Sequence, residues 1–296
     1  MPWYCRLILS LLVLVVLPQI LANLPDSWSS SDEDQPPLPM PTDRVRRPLP
    51  QPSAEDPLST VYDEPLESGE FSYGTSFPIG AGIWLTARHV ANESCSRVVM
   101  AIAGRRVAAS IAYIHPDSDL TLLKTAPVDA PALALESGAL QETDTGYSFG
   151  FPGGKLGATQ DELLGRARMS ITGLTNGTGP SLTWAEAKRF PDALRSLGGM
   201  SGGPMLDRDG KIVGIMIAAS LRRGRIDTVA PEVLLATAKE YAPDNATQGA
   251  AASEVAGQDV ALDKAAQAFS RNNQVAKTYC LPLGVAADQV PGLPLY

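Results

Sequence analysis

The residues best suited to covalent chemistry lie in one glycine-rich stretch, Gly199-Met200-Ser201-Gly202-Gly203-Pro204. Glycines on both sides of a serine leave room for a substrate carbonyl, and they let backbone N–H groups point at a developing oxyanion. A serine hydroxyl is a weak nucleophile unless a neighbouring base takes its proton. The chain has two histidines that could be this base, His89 and His115, and both precede Ser201.

The order of these residues separates two kinds of serine hydrolase. Gly199 to Gly203 also fits the GxSxG turn of α/β-hydrolases, in which the histidine follows the serine along the chain. No histidine follows Ser201, and Pro204 stands where the helix after that turn should begin. The sequence therefore excludes this turn and favours a triad in the order His, acid, Ser.

The acid of such a triad is predicted at Asp119. It opens the run Asp119-Leu120-Thr121-Leu122-Leu123-Lys124, and His89 ends an apolar run. A carboxylate at the start of a buried strand can accept the imidazole N–H and fix its tautomer. Asp117 is the competing candidate, but it lies in a turn with His115, and we expect both of those residues at the surface.

Short apolar runs separated by glycine and proline turns extend from residue 71 to residue 242. Many short strands at this spacing are typical of an all-β barrel or sandwich. The predicted strands are Ala81–Ala87, Arg97–Ala103, Val107–Ile114, Leu120–Thr125, Gly146–Phe149, Ala167–Thr172, Ser181–Ala185 and Lys211–Ala219.

Helical patterns occur only near the end of the chain. Pro231–Tyr241 is predicted as a helix, because Pro231 suits a first helical turn and Pro243 is a stop signal. The alanine-rich residues 243–296 are predicted as a short C-terminal extension, with one amphipathic helix between Ser253 and about Asn272.

The first 23 residues have the features of a targeting signal. Arg6 precedes the apolar run Leu7–Leu17, which only Ser10 interrupts. This run matches a secretory signal peptide and is short for a membrane span. An uncleaved N-terminal anchor remains the alternative. Either way the chain is expected to be exported, to the periplasm or the medium. An uncleaved anchor would hold it at the inner membrane.

Residues 24–70 are predicted to be an unstructured, extended spacer. They contain ten prolines, and their eleven acidic residues and three arginines account for the whole net charge of −8. Such a composition buries too little apolar surface to offset the entropy of ordering.

Charge and cysteine content exclude two further classes. A net charge of −8 argues against a nucleic-acid-binding protein, which would carry a basic face. The three cysteines, Cys5, Cys95 and Cys280, lack CxxC spacing, so no structural zinc site is expected. If Cys5 is lost with a signal peptide, Cys95 and Cys280 could form a disulfide in an oxidising compartment.

Three segments together resemble the signature blocks of the trypsin/chymotrypsin-like serine proteases. They are Thr86-Ala87-Arg88-His89-Val90, Asp119 to Lys124 and Gly199 to Pro204. The resemblance covers about residues 74–242. The stretch Gly150-Phe151-Pro152-Gly153-Gly154 and the short loops bring it nearest the bacterial HtrA-like and glutamyl-endopeptidase-like branches, without a PDZ domain.

This resemblance implies two six-stranded antiparallel β-barrels with the active site between them. Ser201 would be the nucleophile, His89 the general acid and base, and Asp119 its orienting partner. The backbone N–H groups of Gly199 and Ser201 would form the oxyanion hole, and Ile217-Ala218-Ala219 would pair with the substrate backbone. No cofactor or metal is implied.

Two positions depart from trypsin itself. Met200 stands where trypsin has the aspartate that pairs with the freed N-terminus, so that route of activation is not expected here. Arg195 stands six residues before Ser201, where the family often sets its specificity, and a cation there would favour an acidic residue before the cleaved bond.

The sequence therefore predicts a serine endopeptidase that acts on peptides or proteins through an acyl-enzyme. A catalytically silent protease fold that binds a partner, and an esterase on the same scaffold, remain the alternatives. The oligomeric state is not indicated.

Overall fold

β-Strands make up most of the regular structure in the computed structural model, which describes residues 48–67, 69–136, 140–243, 249–256 and 260–294. The predicted signal peptide or anchor, and the spacer as far as residue 47, lie outside the described residues. No helix in the described ranges is both long enough and apolar enough to cross a membrane.

Two sheets are formed. The strands are β1 (Leu58–Asp63), β2 (Ser72–Gly80), β3 (Ile83–Thr86), β4 (Arg97–Ile102), β5 (Arg105–Ile114), β6 (Thr121–Thr125), β7 (Thr145–Gly150), β8 (Gly157–Gly173), β9 (Gly177–Phe190), β10 (Pro204–Leu206), β11 (Ile212–Ser220), β12 (Arg225–Val229) and β13 (Ala276–Leu281). Two α-helices follow β12, α1 (Pro231–Tyr241) and α2 (Leu262–Arg271). The predicted all-β class is confirmed.

The first sheet is a closed barrel in the order β13-β2-β3-β6-β5-β4. The second has the order β1-β8-β7-β10-β11-β12-β9, and β8 also pairs with β9. This extra pairing joins the six strands β7 to β12 in a ring and leaves β1 outside it. The second sheet therefore also returns on itself, as the two-barrel prediction requires.

Strand β13 changes the interpretation of the C-terminal residues. The tail was expected to be an extension outside the protease domain, but β13 pairs with both β2 and β4 and completes the first barrel. A disulfide joins Cys280 on this strand to Cys95, with their Cα atoms 5.1 Å apart. The predicted boundary at residue 242 thus does not separate the tail from the fold. Nothing local in the sequence of β13 identifies partner strands that lie far earlier in the chain.

The C-terminal helix also belongs to the core. Within α2 the ring of Phe269 stacks on Phe149 of β7, with centroids 4.2 Å apart. The helix is shorter than predicted, because residues 253–255 form a separate 3₁₀ turn. The prediction for α1 agrees with the structure at both ends, since a proline lies at its start and another lies just beyond its end.

Strand β1 corrects the prediction that residues 24–70 are an unstructured spacer. It pairs in parallel with β8, from Leu58 opposite Arg168 to Asp63 opposite Gly173. Val61 and Asp63 are buried, and the prolines of this segment lie outside the strand. The composition of the whole segment did not indicate that six of its residues form a strand, which pairs with β8.

Strand β2 was not predicted, because Gly74 and Pro78 make its sequence resemble a turn. The structure explains the first of these residues. A Cβ on Gly74 would lie 2.6 Å from the carbonyl oxygen of Ser201, so only glycine allows β2 to approach that loop so closely. Strands β10 and β12 were also not predicted, and β8 and β9 are much longer than expected.

Candidate active site

Two neighbouring strands of the first barrel bring His89 and Asp119 together. His89 follows β3 and Asp119 precedes β6, and Thr86 of β3 lies opposite Thr121 of β6. Asp119 Oδ2 lies 2.7 Å from His89 Nδ1, and Oδ1 accepts the backbone N–H of His89 at 2.9 Å. Because a carboxylate can only accept, Nδ1 carries the proton and Nε2 is left free.

His89 and Asp119 differ in how far their side chains are buried. Asp119 is fully buried, whereas the side chain of His89 is 22% exposed. Burial lowers the pKa of His89, but the charge of Asp119 and its hydrogen bond raise it, and the charge of Asp63 raises it further. The net pKa of His89 is raised above its ordinary value. The arrangement therefore stabilises a proton that arrives on this ring.

Ser201 lies in the loop between β9 and β10, where the chain turns sharply. Gly199 and Gly202 have φ of +98° and +85°, in the left-handed region that favours glycine. A Cβ on Gly202 would also lie 2.1 Å from the carbonyl oxygen of Thr75. A Cβ on Gly199 would lie 2.5 Å from the carbonyl oxygen of Phe151, so both Gly199 and Gly202 are required by backbone conformation and by space.

Ser201 and His89 open on the same cavity of about 420 Å³. Within the described residues no hydrogen bond joins the Ser201 hydroxyl to His89. The predicted serine, histidine and aspartate are nevertheless brought to one place, because Ser201 and His89 line one cavity and Asp119 is hydrogen-bonded to His89.

Two backbone N–H groups beside Ser201 have no acceptor among the described residues. The carbonyl oxygen of Gly198 accepts the N–H of Gly153 at 2.8 Å, and that of Met200 accepts the N–H of Gly203 at 2.8 Å. The C=O and N–H of a trans peptide point in opposite directions. The N–H groups of Gly199 and Ser201 are therefore directed away from these contacts and stay available.

Thr75 holds this loop against the first barrel. Its buried hydroxyl donates to the carbonyl oxygen of Gly199 at 2.8 Å and accepts the N–H of Phe151 at 3.1 Å. Its backbone N–H donates to the carbonyl oxygen of Ser201 at 2.8 Å. Sequence reasoning missed Thr75, and no signal in its neighbourhood could have identified it.

The cavity walls come from three separate parts of the chain. The predicted Ile217, Ala218 and Ala219 line one wall, and residues 196–198 line a second. The third wall, residues 60–62 of β1, was not anticipated.

Arg195 does not lie where the prediction placed it. It is exposed and does not line the cavity, whose corresponding wall begins at Ser196 and Leu197. A long cationic side chain at the start of this loop turns to solvent, because burying it without a partner would cost free energy.

The competing residues lie apart from the cavity. The ring of His115 accepts the N–H of Asp117 at 3.1 Å, in the turn between β5 and β6.

No group of three or more histidine, cysteine, aspartate or glutamate side chains suited to a metal ion occurs among the described residues.

Comparison with known proteins finds a similar domain in one family. Residues 74–215 match the family model for a trypsin-like peptidase domain. No curated protein sequence matches the chain significantly.

The chain also resembles solved structures at low sequence identity. The active form of the Rv3671c protease from M. tuberculosis has a TM-score of 0.50 and 16% identity, over 66% of this chain and 93% of that one. The HtrA-type protease AlgW with a decapeptide has a TM-score of 0.45 and 19% identity, over 66% of this chain and 61% of the other. The MamO protease domain from Magnetospirillum magneticum has a TM-score of 0.40 and 22% identity, over 56% and 94%. The match therefore makes residues 74–215 a trypsin-like peptidase domain, a serine protease of the hydrolase class.

Proposed function

We propose that the protein is an endopeptidase that cleaves peptide bonds through an acyl-enzyme on Ser201, with His89 and Asp119 completing a triad. One observation carries the proposal. The His89–Asp119 pair opens on the same cavity as Ser201, beside two backbone N–H groups that have no acceptor among the described residues.

Each group has a defined part in the reaction. His89 Nε2 takes the Ser201 hydroxyl proton as the oxygen attacks the substrate carbonyl carbon, and Asp119 stabilises the imidazolium that forms. The N–H groups of Gly199 and Ser201 donate to the negative carbonyl oxygen, which is the predicted oxyanion hole. His89 then gives its proton to the leaving amine. Water attacks the acyl-enzyme by the same path and restores the serine.

The lining of the cavity suggests its preferred substrate residue. Leu197, Met216 and Ile217 are nearly fully buried and line the cavity next to Ser201. An apolar side chain of small or medium size would bury its surface against them. We therefore expect an apolar residue before the cleaved bond, in place of the acidic one that Arg195 suggested.

The disulfide supports an exported protein. Disulfides persist in oxidising compartments and are rare in the cytosol. The Cys95–Cys280 bridge therefore agrees with the targeting signal predicted in residues 1–23, which lie outside the described residues. We infer that the enzyme acts on peptides or proteins in the periplasm or the medium, either free or held at the membrane by that segment.

The test is a pair of serine variants. Ser201→Ala should abolish labelling by a fluorophosphonate and lower kcat by more than about 10³-fold, because the nucleophile is lost. Its melting temperature should stay close to that of the wild type. Ser110→Ala, an exposed serine on β5, is the control and should retain labelling and turnover.

Other outcomes would point to the alternatives. Equal labelling of the wild type and Ser201→Ala would contradict the assignment of the nucleophile. A wild type that turns over no member of a peptide library but binds a partner would indicate a silent binding module. Cleavage of esters but not of peptides would indicate an esterase.

A further inference from the structure

The cavity at Ser201 continues into a second cavity of about 460 Å³. The two share Thr60 of β1 and Ala218 and Ala219 of β11 as lining residues. One groove therefore runs from His89 and Ser201 along β11 to the turn that joins β11 to β12. Strand β1 forms its opposite wall.

Two arginines stand at the far end of this groove. Arg223 ends the 3₁₀ turn at residues 221–223, and Arg225 begins β12, and both line the second cavity. Both side chains are exposed, and neither forms an ion pair with a carboxylate of the described residues. Their charges are therefore available to a ligand.

Asp227 lines the same cavity, but its carboxylate already has two hydrogen-bond donors. The hydroxyl of Ser59 donates to one oxygen at 2.8 Å, and that of Thr183 donates to the other at 2.6 Å. Asp227 of β12 thus links β1 and β9 by side-chain hydrogen bonds. The side chains that line this end of the groove keep a net positive charge.

A bound peptide would run toward these arginines. This step rests on the proposed function, in which the substrate backbone pairs with Ile217-Ala218-Ala219. If the residue before the cleaved bond lies beside Ile217, an antiparallel peptide places its preceding residues beyond Ala219. At a rise of about 3.4 Å per residue, positions roughly four to six residues before the cleaved bond reach Arg223 and Arg225.

We propose that this end of the groove is a subsite for acidic side chains, with Arg223 and Arg225 as the cationic partners of aspartate or glutamate four to six residues before the cleaved bond. The apolar cavity at Ser201 would then select the residue at the bond, while the arginines select the charge of the upstream segment. An exposed guanidinium contributes modestly to such a pair, and the contribution is screened by salt.

The experiment uses peptides that differ only at the upstream positions. One carries two glutamates four and five residues before the cleaved bond, and its partner carries two glutamines there. For the wild-type protein at low salt we expect kcat/KM to be about 3- to 10-fold higher for the glutamate peptide, and the ratio to fall toward one in 0.5 M salt.

Two arginine variants test whether Arg223 and Arg225 cause the preference for the glutamate peptide. Arg223→Gln/Arg225→Gln should bring the glutamate-to-glutamine ratio to about one. Arg222→Gln is the matched control for the loss of a charge, because Arg222 lies in the same turn and is exposed but does not line the cavity. The Arg222→Gln protein should keep most of the preference for the glutamate peptide. Equal cleavage of both peptides by the wild type, or an equal loss in Arg222→Gln, would overturn the proposal.

A binding measurement separates this subsite from the chemistry at Ser201. Fluorescent forms of the same two peptides are titrated onto Ser201→Ala protein, which binds without turnover. Tighter binding of the glutamate peptide that depends on Arg223 and Arg225 supports the subsite even if the wild type hydrolyses neither peptide. Peptide hydrolysis by the wild type with equal affinity for both peptides would leave the proposed function standing and remove the subsite.

Discussion

Thr75 lies outside the proposed triad but is hydrogen-bonded to the loop that carries Ser201. It contacts the loop that carries the nucleophile through both its hydroxyl and its backbone N–H, and it also contacts Phe151. These contacts come from β2, in the other sheet. Thr75 thus holds the peptide before and the peptide after the one that carries the Ser201 N–H, so the orientation of that N–H depends on a residue of the first barrel.

Removing this hydroxyl should impair catalysis more than binding. Thr75→Val keeps the shape of the side chain but leaves the carbonyl of Gly199 and the N–H of Phe151 without their partner. We expect kcat to fall about 10- to 100-fold with KM changed less than about threefold, since the donors to the oxyanion act mainly in the transition state. Steady-state kinetics on one peptide would measure both constants.

Thr75→Ser is the matched control, because it restores the hydroxyl without the methyl group. It should recover most of kcat. A Thr75→Val protein with the wild-type kcat, or a Thr75→Ser protein as slow as Thr75→Val, would show that the hydroxyl has no positioning role.

At the scale of elements, β1 joins the loop of His89 to the second sheet. Asp63 at its end is fully buried and forms an ion pair with Arg88 at 2.8 Å, and it accepts a hydrogen bond from Asn92 at 2.7 Å. Its backbone carbonyl accepts the N–H of Leu174, just after β8, at 2.7 Å. A strand that the composition assigned to a spacer therefore supports Arg88, the residue next to the proposed general base.

The charge of Asp63 near His89 predicts a specific pH dependence of kcat/KM. His89 acts as a base only when neutral, and its pKa is raised above 6.5, so kcat/KM of the wild type should fall as the pH drops through a value above 6.5. The charge of Asp63 contributes to this rise. Asp63→Asn should therefore move the acidic limb of the profile to lower pH, as well as lowering stability by about 3–5 kcal/mol because Arg88 loses its buried partner.

Glu93→Gln is the control for this change. Glu93 also contacts Arg88, at 3.3 Å, but its side chain is 50% exposed. Its loss should leave both the acidic limb and the melting temperature almost unchanged. If the acidic limb of the pH profile stays in place in Asp63→Asn, Asp63 stabilises the fold without raising the pKa of His89.

At the scale of the molecule, the two ends of the described chain complete the protease fold. Strand β1 extends the second sheet at its edge, and β13 closes the first barrel. The Cys95–Cys280 disulfide links residues 185 positions apart in the sequence and fastens β13 to that barrel. The protease domain therefore extends well beyond the residues of the proposed triad.

Loss of the disulfide should destabilise the whole domain. A Cys95→Ser/Cys280→Ser variant should lose about 2–5 kcal/mol of unfolding free energy, because the unfolded chain regains the entropy of a long loop. Denaturant titration would measure the change. A reductant should lower the stability of the wild type to the same level and leave the variant unaffected. Equal stability of both proteins without reductant would contradict this role for the bridge.

Much of the candidate site could be predicted because it depends on residue types and their order along the chain. His89, Asp119 and Ser201 were recognised from three short segments, since a triad needs a base, an acid and a nucleophile whatever the loops between them. Helix α1 was predicted at both ends because Pro231 and Pro243 act on the backbone beside them. These features require no knowledge of distant contacts.

The tertiary structure alone decided which distant segments meet. The long-range contacts are those of β13 with β2, of Asp63 with Arg88 and of Thr75 with Gly199. The tertiary structure also decided that two arginines lie at the end of the groove. Strand pairing uses backbone groups that nearly every residue carries, so a short segment such as Leu58–Asp63 does not reveal its partner. The amino-acid sequence by itself determined the class of fold and indicated the proposed reacting groups, whereas the packing of the two sheets decided which residues line and support the candidate site.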